Sequence, residues 1–286
     1  MKSASELHTD QIEFWNGQTG SQWVDDQQRI DTLLAQVLDA ALSVARAKPG
    51  ESVLDIGCGT GASSIALAKL VAPPDSKTNG RVVGLDVSQP MVEWARKRSA
   101  SHPNIDYIVA DATTHRFPAP FADLLFSRFG VMFFGDPTAA FTNLRRALKP
   151  GGRMAFACWR KIDENPWMQV PLHAAYEHVA RLPKPGPEDP GPISFADPER
   201  VTRILTAAGF AKPRFTPKEF MFDIAGGRGM DDAVNQAMTI GPASRAIKDQ
   251  PDDVVAKVRE SIRAALAPYA KGSAVALPGA IWLVEG

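Results

Sequence analysis

The stretch Val53-Leu54-Asp55-Ile56-Gly57-Cys58-Gly59-Thr60-Gly61 decides the fold. Its first four residues read as a short buried strand, and a helix follows from Ala62. Glycine at every second position between them removes side chains where something must approach the backbone closely. A glycine turn joining a parallel strand to a helix N-terminus is where open α/β sheets bind nucleotides. The spacing is not the G-x-G-x-x-G of a dinucleotide fingerprint, and no Gly-Lys-Ser/Thr follows as in a phosphate loop. The turn therefore suits a ligand's neutral or zwitterionic part.

Working outward, the same rhythm repeats. Upstream, Ile30, Leu33, Leu34, Val37, Leu38, Ala41 and Leu42 mark an amphipathic helix over 27–47, ended by Lys48-Pro49-Gly50. Downstream, Arg81 to Asp86 is a second strand, with Ser88 and Pro90 opening a helix to about Ala100. Ile105 to Ala110 is a third strand and Ala122 to Ser127 a fourth. A helix from Asp136-Pro137 to Leu148 leads to a fifth strand, Arg153 to Trp159. Strand alternating with helix predicts a parallel sheet covered on both faces. After Trp159 the rhythm breaks. A helix over Trp167–Leu182, a proline-rich loop, a helix from Asp197 to Ala208 and a strand within Phe215–Ile224 are expected. Residues 230–267 read as interrupted helix, and Ala274 to Val284 as a bent or hairpin-like last strand around Pro278-Gly279. The expected organisation is an N-terminal arm and helix (1–49), a ligand-binding core (50–160), a cap insert (161–196), core continued (197–225), a second insert (226–271) and the last strand (272–286).

Composition bounds the function. Of 286 residues, 32 are Lys or Arg and 32 are Asp or Glu, giving a formal net charge of +0. That balance argues against broad phosphate neutralisation, hence against a nucleic-acid partner. The two cysteines, Cys58 and Cys158, supply neither a disulfide framework nor a metal-ligand cluster, and they fit a reducing cytoplasm. The first ten residues lack an apolar signal core, and no long apolar run predicts a membrane span.

Two acids stand in register with the glycine turn. Asp86 ends the second strand, 25 residues past Gly61, where a carboxylate can accept bonds from both ribose hydroxyls. Asp111 ends the third strand and, with Ala112, can present a carboxylate and an N–H to an adenine edge.

The nine-residue string, followed at the next strand ends by Gly84-Leu85-Asp86-Val87-Ser88 and Ala110-Asp111-Ala112, resembles the class I S-adenosylmethionine-dependent methyltransferases. Residues Phe121 to Phe134 and the run Leu144 to Arg153 are similar to the small-molecule branch that includes the ubiquinone and menaquinone biosynthesis methyltransferases. The resemblance covers about residues 50–160 and is thin in the arm and both inserts. It implies an α/β, doubly wound, mostly parallel seven-stranded sheet with a helical arm and helical caps. It implies S-adenosyl-L-methionine as cofactor, with Gly57, Cys58, Gly59 and Gly61 under the methionine part and Asp55 facing its ammonium end. Asp86 would bind the ribose, Val87 and Met91 would flank the adenine, and Asp111 with Ala112 would read its amine. Ser127 and Arg128 would lie between cofactor and substrate; the family often has Asn there, and Arg128 is a departure that can face an acidic group. Trp23 would close over the cofactor from the arm.

The chemistry implied is in-line methyl transfer to O, N or C of an aromatic or lipid-like small molecule. A base is needed only where the nucleophile must lose a proton. Candidates are His115, His173 and Tyr176, with Arg128 as a further polar group; His178 falls on another helix face. Phe129, Met132 and Phe133 past the fourth strand, and Trp167 in the insert, are candidate substrate-pocket residues. The alternatives are a catalytically silent cofactor-binding partner and a nicotinamide-dependent dehydrogenase. Too few cysteines argue against arsenite as substrate, and Ser127-Arg128-Phe129-Gly130 lacks the Asn/Asp-Pro-Pro-aromatic string of DNA amino methylation. The expected oligomer is a monomer or homodimer.

Overall fold

A computed structural model describes residues 4–74, 78–186 and 188–286. Its strands are β1 Ser52–Ile56, β2 Arg81–Asp86, β3 Ile105–Val109, β4 Ala122–Arg128, β5 Leu148–Trp159, β6 Arg214–Asp223, β7 Ala270–Lys271 and β8 Ala274–Glu285. They lie in the order β3-β2-β1-β4-β5-β8-β6, and the two-residue β7 pairs with β8 off this path. The first five are mutually parallel. Only β8 reverses, running antiparallel to both β5 and β6. The sheet winds from β1 outward through β2 to β3, then returns to β4 on the other side. The crevice at the carboxyl ends of β1 and β4 is thus the topological switch point.

The strands form where sequence supplies short apolar runs buried on both faces. Val53, Leu54 and Ile56 are buried, as are Leu124, Leu125 and Phe126 and the run Met154–Trp159. Such strands need helices on each side to exclude water. The helices are α1 Ala4–Asn16, α2 Gln18–Asp25, α3 Gln27–Leu33, α4 Ala35–Ala45, α5 Ala62–Val71, α6 Gln89–Arg98, α7 Pro137–Ala147, α8 Pro166–Ala175, α9 Pro198–Ala207, α10 Met230–Thr239, α11 Pro242–Ala246 and α12 Asp252–Leu266. Asp136 caps α7 by accepting the Ala139 N–H, and Asp197 caps α9 by accepting that of Glu199.

Three elements differ from the sequence-based expectations. The single helix expected over 27–47 is two, α3 and α4, offset at Leu34 (φ −98°, ψ 9°). The offset lets the consecutive Leu33 and Leu34 both reach one interior cavity. The helix expected from Trp167 to Leu182 stops at Ala175. The last strand is not a hairpin: β8 runs unbroken through Pro278 and Gly279, which lie opposite Met221 and Phe220 of β6. Proline is tolerated there because β5 pairs with β8 only from Ile281 onward, leaving that side of the ladder free at Pro278.

The two inserts meet. Helix α8 packs on α11 and α12, and α10 packs on α11 and α12. Together they stand over the carboxyl end of β5. Helices α1 and α2 cross the switch-point crevice from the other side, with α2 against α6. No described helix is long and apolar enough to cross a membrane.

Candidate functional site

The site begins at the end of β1. Asp55 is fully buried, and its Oδ2 accepts from Ser63 Oγ (2.7 Å) and Ser64 Oγ (2.6 Å) in the first turn of α5. It ties strand to helix at the end where the helix dipole favours negative charge. It does not line the crevice, so the ammonium contact expected of it is replaced by a supporting role behind the loop. Burial raises its pKa to about 6, against the Ser64, Ser63 and Arg128 interactions that lower it. A carboxyl raised in the folded state binds more protons folded than unfolded between its ordinary value of 3.8 and about 6. Stability from this group is therefore full below that window and lost as pH rises through it, by about 3 kcal/mol in all. Asp55→Asn should flatten this part of the stability curve. Urea melts between pH 4 and 7 check it, and an unchanged slope in the variant would refute the assignment.

The three glycines of the loop have separate tasks. Gly57 (φ +64°) lies against Gly130: a Cβ on Gly57 would sit 2.5 Å from the Gly130 Cα. Gly59 is open, with only Met91 Sδ at 3.8 Å from a Cβ placed there, and it lines the crevice. Gly61 turns away: its Cβ would meet Tyr107 Oη at 2.7 Å and Ala95 at 3.0 Å. Gly61 thus allows α5 to start close to α6 and, contrary to expectation, does not face the ligand side.

Asp86 and Asp111 complete the rim. Asp86 accepts the Gly59 N–H at Oδ2 (2.8 Å) and the Ser88 N–H at Oδ1 (2.9 Å), so it fixes both the glycine loop and the start of α6. Burial raises its pKa, while those backbone donors oppose the shift. Asp111 accepts the Thr113 N–H (2.8 Å) and Thr114 Oγ1–H (2.8 Å), and His8 Nε2 lies 3.2 Å from its Oδ2. Arg128 enters from the end of β4, its Nη1 buried without a partner among the described residues. Burial lowers its pKa, and Asp31 and Asp55 act against that shift.

These groups line a first cavity of about 770 Å³, counting the space at its mouth that is open to solvent. Of the expected cofactor residues, Trp23, Gly57, Gly59, Asp86, Val87, Met91, Asp111, Ala112 and Arg128 line it. Cys58 and Ser127 do not. Cys58 is buried behind the loop, where burial pushes its thiol pKa well up. Ser127 Oγ donates to the Ile56 carbonyl (2.7 Å) and accepts the Gly130 N–H (3.1 Å), pinning β4 to β1.

A second cavity, about 1000 Å³ to its open mouth, adjoins the first. The two share Trp15, Trp23, Phe129 and Phe133. All four expected pocket residues, Phe129, Met132, Phe133 and Trp167, line the second. Phe129 holds a left-handed backbone (φ +71°), a conformation that costs a bulky residue energy and recurs at functional sites. Its ring stacks on Trp159 at 4.2 Å and 11°.

The base candidates lie elsewhere. His115 packs on Phe117 beyond the rim, His173 is exposed on α8, and Tyr176 Oη accepts the Leu182 N–H (3.4 Å). His178 pairs with Ser261 Oγ. None lines either cavity. Helical spacing placed His173 and Tyr176 on one face but could not say which way that face turns, and His115 stood out only for following Asp111.

Sequence reasoning missed the arm's polar contacts, Gly130 and Arg245. Asn16 Nδ2 donates to the Val87 carbonyl (2.9 Å), Asn16 Oδ1 accepts the Gln89 N–H (2.9 Å), and Ser88 Oγ donates to the Trp15 carbonyl (2.7 Å). These bonds latch α1 to the loop after β2. The only sequence signal was Asn16-Gly17 at a helix end. Asn16→Ala removes two such bonds, each about 1 kcal/mol. It should weaken binding of S-adenosylhomocysteine about 10-fold by calorimetry; unchanged affinity would mean that the arm does not form the roof.

Residues 53–152 match the family model described as a methyltransferase domain. This segment is similar to methyltransferase domains. An aklanonic acid methyltransferase from Streptomyces sp. (strain C5) is 39% identical over 109 residues, 37% of this chain and 47% of that one. A demethylmenaquinone methyltransferase from Clavibacter sepedonicus is 34% identical over 131 residues, 44% of this chain and 50% of that one. The chain thus spans about half the length of these relatives. Its fold is that of the YcgJ protein from Bacillus subtilis, with a TM-score of 0.57 and 16% identity over 88% of this chain and 97% of that one. S-adenosylmethionine is the cofactor that the resemblance implies, and the lining of the first cavity is compatible with it. Gly59 is open to the crevice, two rim carboxylates can accept hydrogen bonds from hydroxyl and amine groups, and the buried Nη1 of Arg128 lacks a partner among the described residues.

Proposed function

We propose that this protein transfers a methyl group from S-adenosylmethionine to a small-molecule acceptor held in the second cavity. The observation that carries this reading is the shared aromatic wall: Trp15, Trp23, Phe129 and Phe133 border both cavities, so two ligands can meet there. Asp86 accepts the ribose hydroxyls with the lone pairs that Gly59 and Ser88 leave free. Asp111 accepts from the adenine amine, beside Ala112, with Val87 and Met91 along the ring. Arg128 pairs with the amino-acid carboxylate, relieving its unpartnered Nη1. The backbone of Gly57 and Gly59 gives close access beneath.

When bound, the cofactor supplies an electrophilic methyl group on a sulfonium. The chain aligns the acceptor with it and excludes water. The aromatic rings at the junction also present negative faces that attract a cationic methyl. O-, N- and C-acceptors are all compatible with this arrangement.

Two measurements test the proposal. In calorimetry, S-adenosylhomocysteine should bind far more tightly than NAD; tighter NAD binding would sink the reading. Labelled-methyl transfer into a metabolite extract should give a product with wild-type protein and none with Asp86→Ala. Tight cofactor binding without any labelled product would leave a cofactor-binding partner protein instead.

A further inference from the structure

We infer that the second cavity takes a planar aromatic acid, bound as its anion with the ring system between the aromatic walls and the acidic group at Arg245. This deepens the proposed function and rests on it for calling that ligand the methyl acceptor. The binding chemistry is argued from the cavity itself.

One wall is a ladder of rings. Phe129 stacks on Trp159, and Trp167 leans on Trp159 with centroids 5.2 Å apart. The facing wall comes from the arm, where Trp15 meets Phe133 edge-on at 5.0 Å and Trp23 edge-on at 5.7 Å. The remaining lining includes the aliphatic Ile30, Leu33, Leu34 and Ile240. Such a slot favours a flat apolar body, through burial and offset or edge-on ring contacts.

The polar groups of the cavity are sparse and of one sign. Among the described lining residues, Arg245 of α11 is the single ionisable side chain, and no carboxylate lines the cavity. Arg245 stands exposed at the mouth, its guanidinium 6.0 Å from the Phe14 ring centroid. No described carboxylate lies within ion-pair distance of it. Thr239 and Ser244 line the same side. Deeper in, Trp167 Nε1 is buried without a partner, an N–H donor that a ring oxygen would satisfy. An ammonium ligand fits less well. Aromatic faces attract cations, but here they share the lining with aliphatic side chains and with no acid to neutralise the charge.

The test uses quenching of tryptophan fluorescence, since Trp15, Trp23, Trp159 and Trp167 all line the cavity. Naphthoate, naphthamide and choline phosphate are titrated into wild type and Arg245→Gln, with and without saturating S-adenosylhomocysteine. Naphthoate should bind about fivefold more tightly than naphthamide at low salt, the scale of an exposed ion pair. Arg245→Gln should bring that ratio to about one while leaving naphthamide and S-adenosylhomocysteine affinities unchanged. A ratio below two in wild type, the same ratio in the variant, or tighter binding of choline phosphate than of naphthoate would each overturn the inference. Failure of S-adenosylhomocysteine to bind would instead overturn the cofactor assignment, and the naphthoate ratio without it would still decide the cavity's preference.

Discussion

Gly57→Ala should lower the melting temperature sharply and abolish tight binding of S-adenosylhomocysteine. Two costs add. A side chain at φ +64° costs roughly 1–2 kcal/mol for an L-residue. The new Cβ would also lie 2.5 Å from the Gly130 Cα, a backbone atom that cannot swing aside as a side chain would. Forcing β1 and β4 apart to make room costs roughly 1–3 kcal/mol. Together that is a large part of the 5–15 kcal/mol typical of a folded domain. The gap it opens is at the floor of the first cavity. Gly59→Ala is the control. Its φ of +53° carries similar strain, but the nearest atom to its Cβ is Met91 Sδ at 3.8 Å. That variant should fold with a loss of about 1 kcal/mol and lose affinity because the methyl enters the cavity. Thermal melts with matched calorimetry separate the two. Equal stability of both variants would show that the Gly57–Gly130 contact is not what demands glycine.

The second large effect is expected at Asp86. Asp86→Ala removes the acceptor of the Gly59 and Ser88 N–H groups and the proposed acceptor of both ribose hydroxyls. Hydrogen bonds to charged groups contribute about 1.5–3 kcal/mol each. Loss of two to the ligand predicts a fall in S-adenosylhomocysteine affinity of at least 100-fold. Stability should suffer less than affinity. Burial already raises the Asp86 pKa, so the folded protein bears a cost for holding this carboxylate charged, and removal relieves it. Two orphaned N–H groups work in the other direction, at about 1–3 kcal/mol each if they stay dry. Affinity within threefold of wild type would remove Asp86 from the site.

Much of the core was legible because its determinants are local. Val53–Ile56 is apolar enough to be a buried strand, and the glycines beside it allow backbone angles that other residues resist. Asp86 and Asp111 could be assigned to one rim because each ends a strand of the same parallel sheet, and parallel strands end on the same side. The pocket residues after β4 were found for the same reason. Cys58, Gly61, Asp55 and Ser127 were expected beside the cofactor but do not line the first cavity. They belong to the same short segments as residues that do line it, and a spacing argument cannot separate the front of a loop from its back. Gly61 faces α6 only because Ala95 and Tyr107 stand there, and both are remote in sequence.

The arm and the inserts were less legible. The aromatic residues Trp15 and Trp23 marked the arm as attached to something, but its latch is made by Asn16 and Ser88, which lie 72 positions apart. His115 was attractive as a base for its place after Asp111, and His173 and Tyr176 for a shared face of the insert helix. Arg245 carried no sequence signal, since an isolated arginine in a helical insert is ordinary.

By itself the sequence determined the alternation of strand and helix, the glycine turn at the switch point and the acids at the next two strand ends. Hydrophobic period, backbone freedom and the geometry of parallel strands act over a few residues, so one chain segment suffices to read them. Only the tertiary structure decided that Gly57 meets Gly130, that α1 and α2 roof the first cavity, and that arm, core and inserts together build an aromatic second cavity with Arg245 at its mouth. Those features depend on close packing between segments far apart along the chain, where the orientation of each side chain is set by the neighbours it meets.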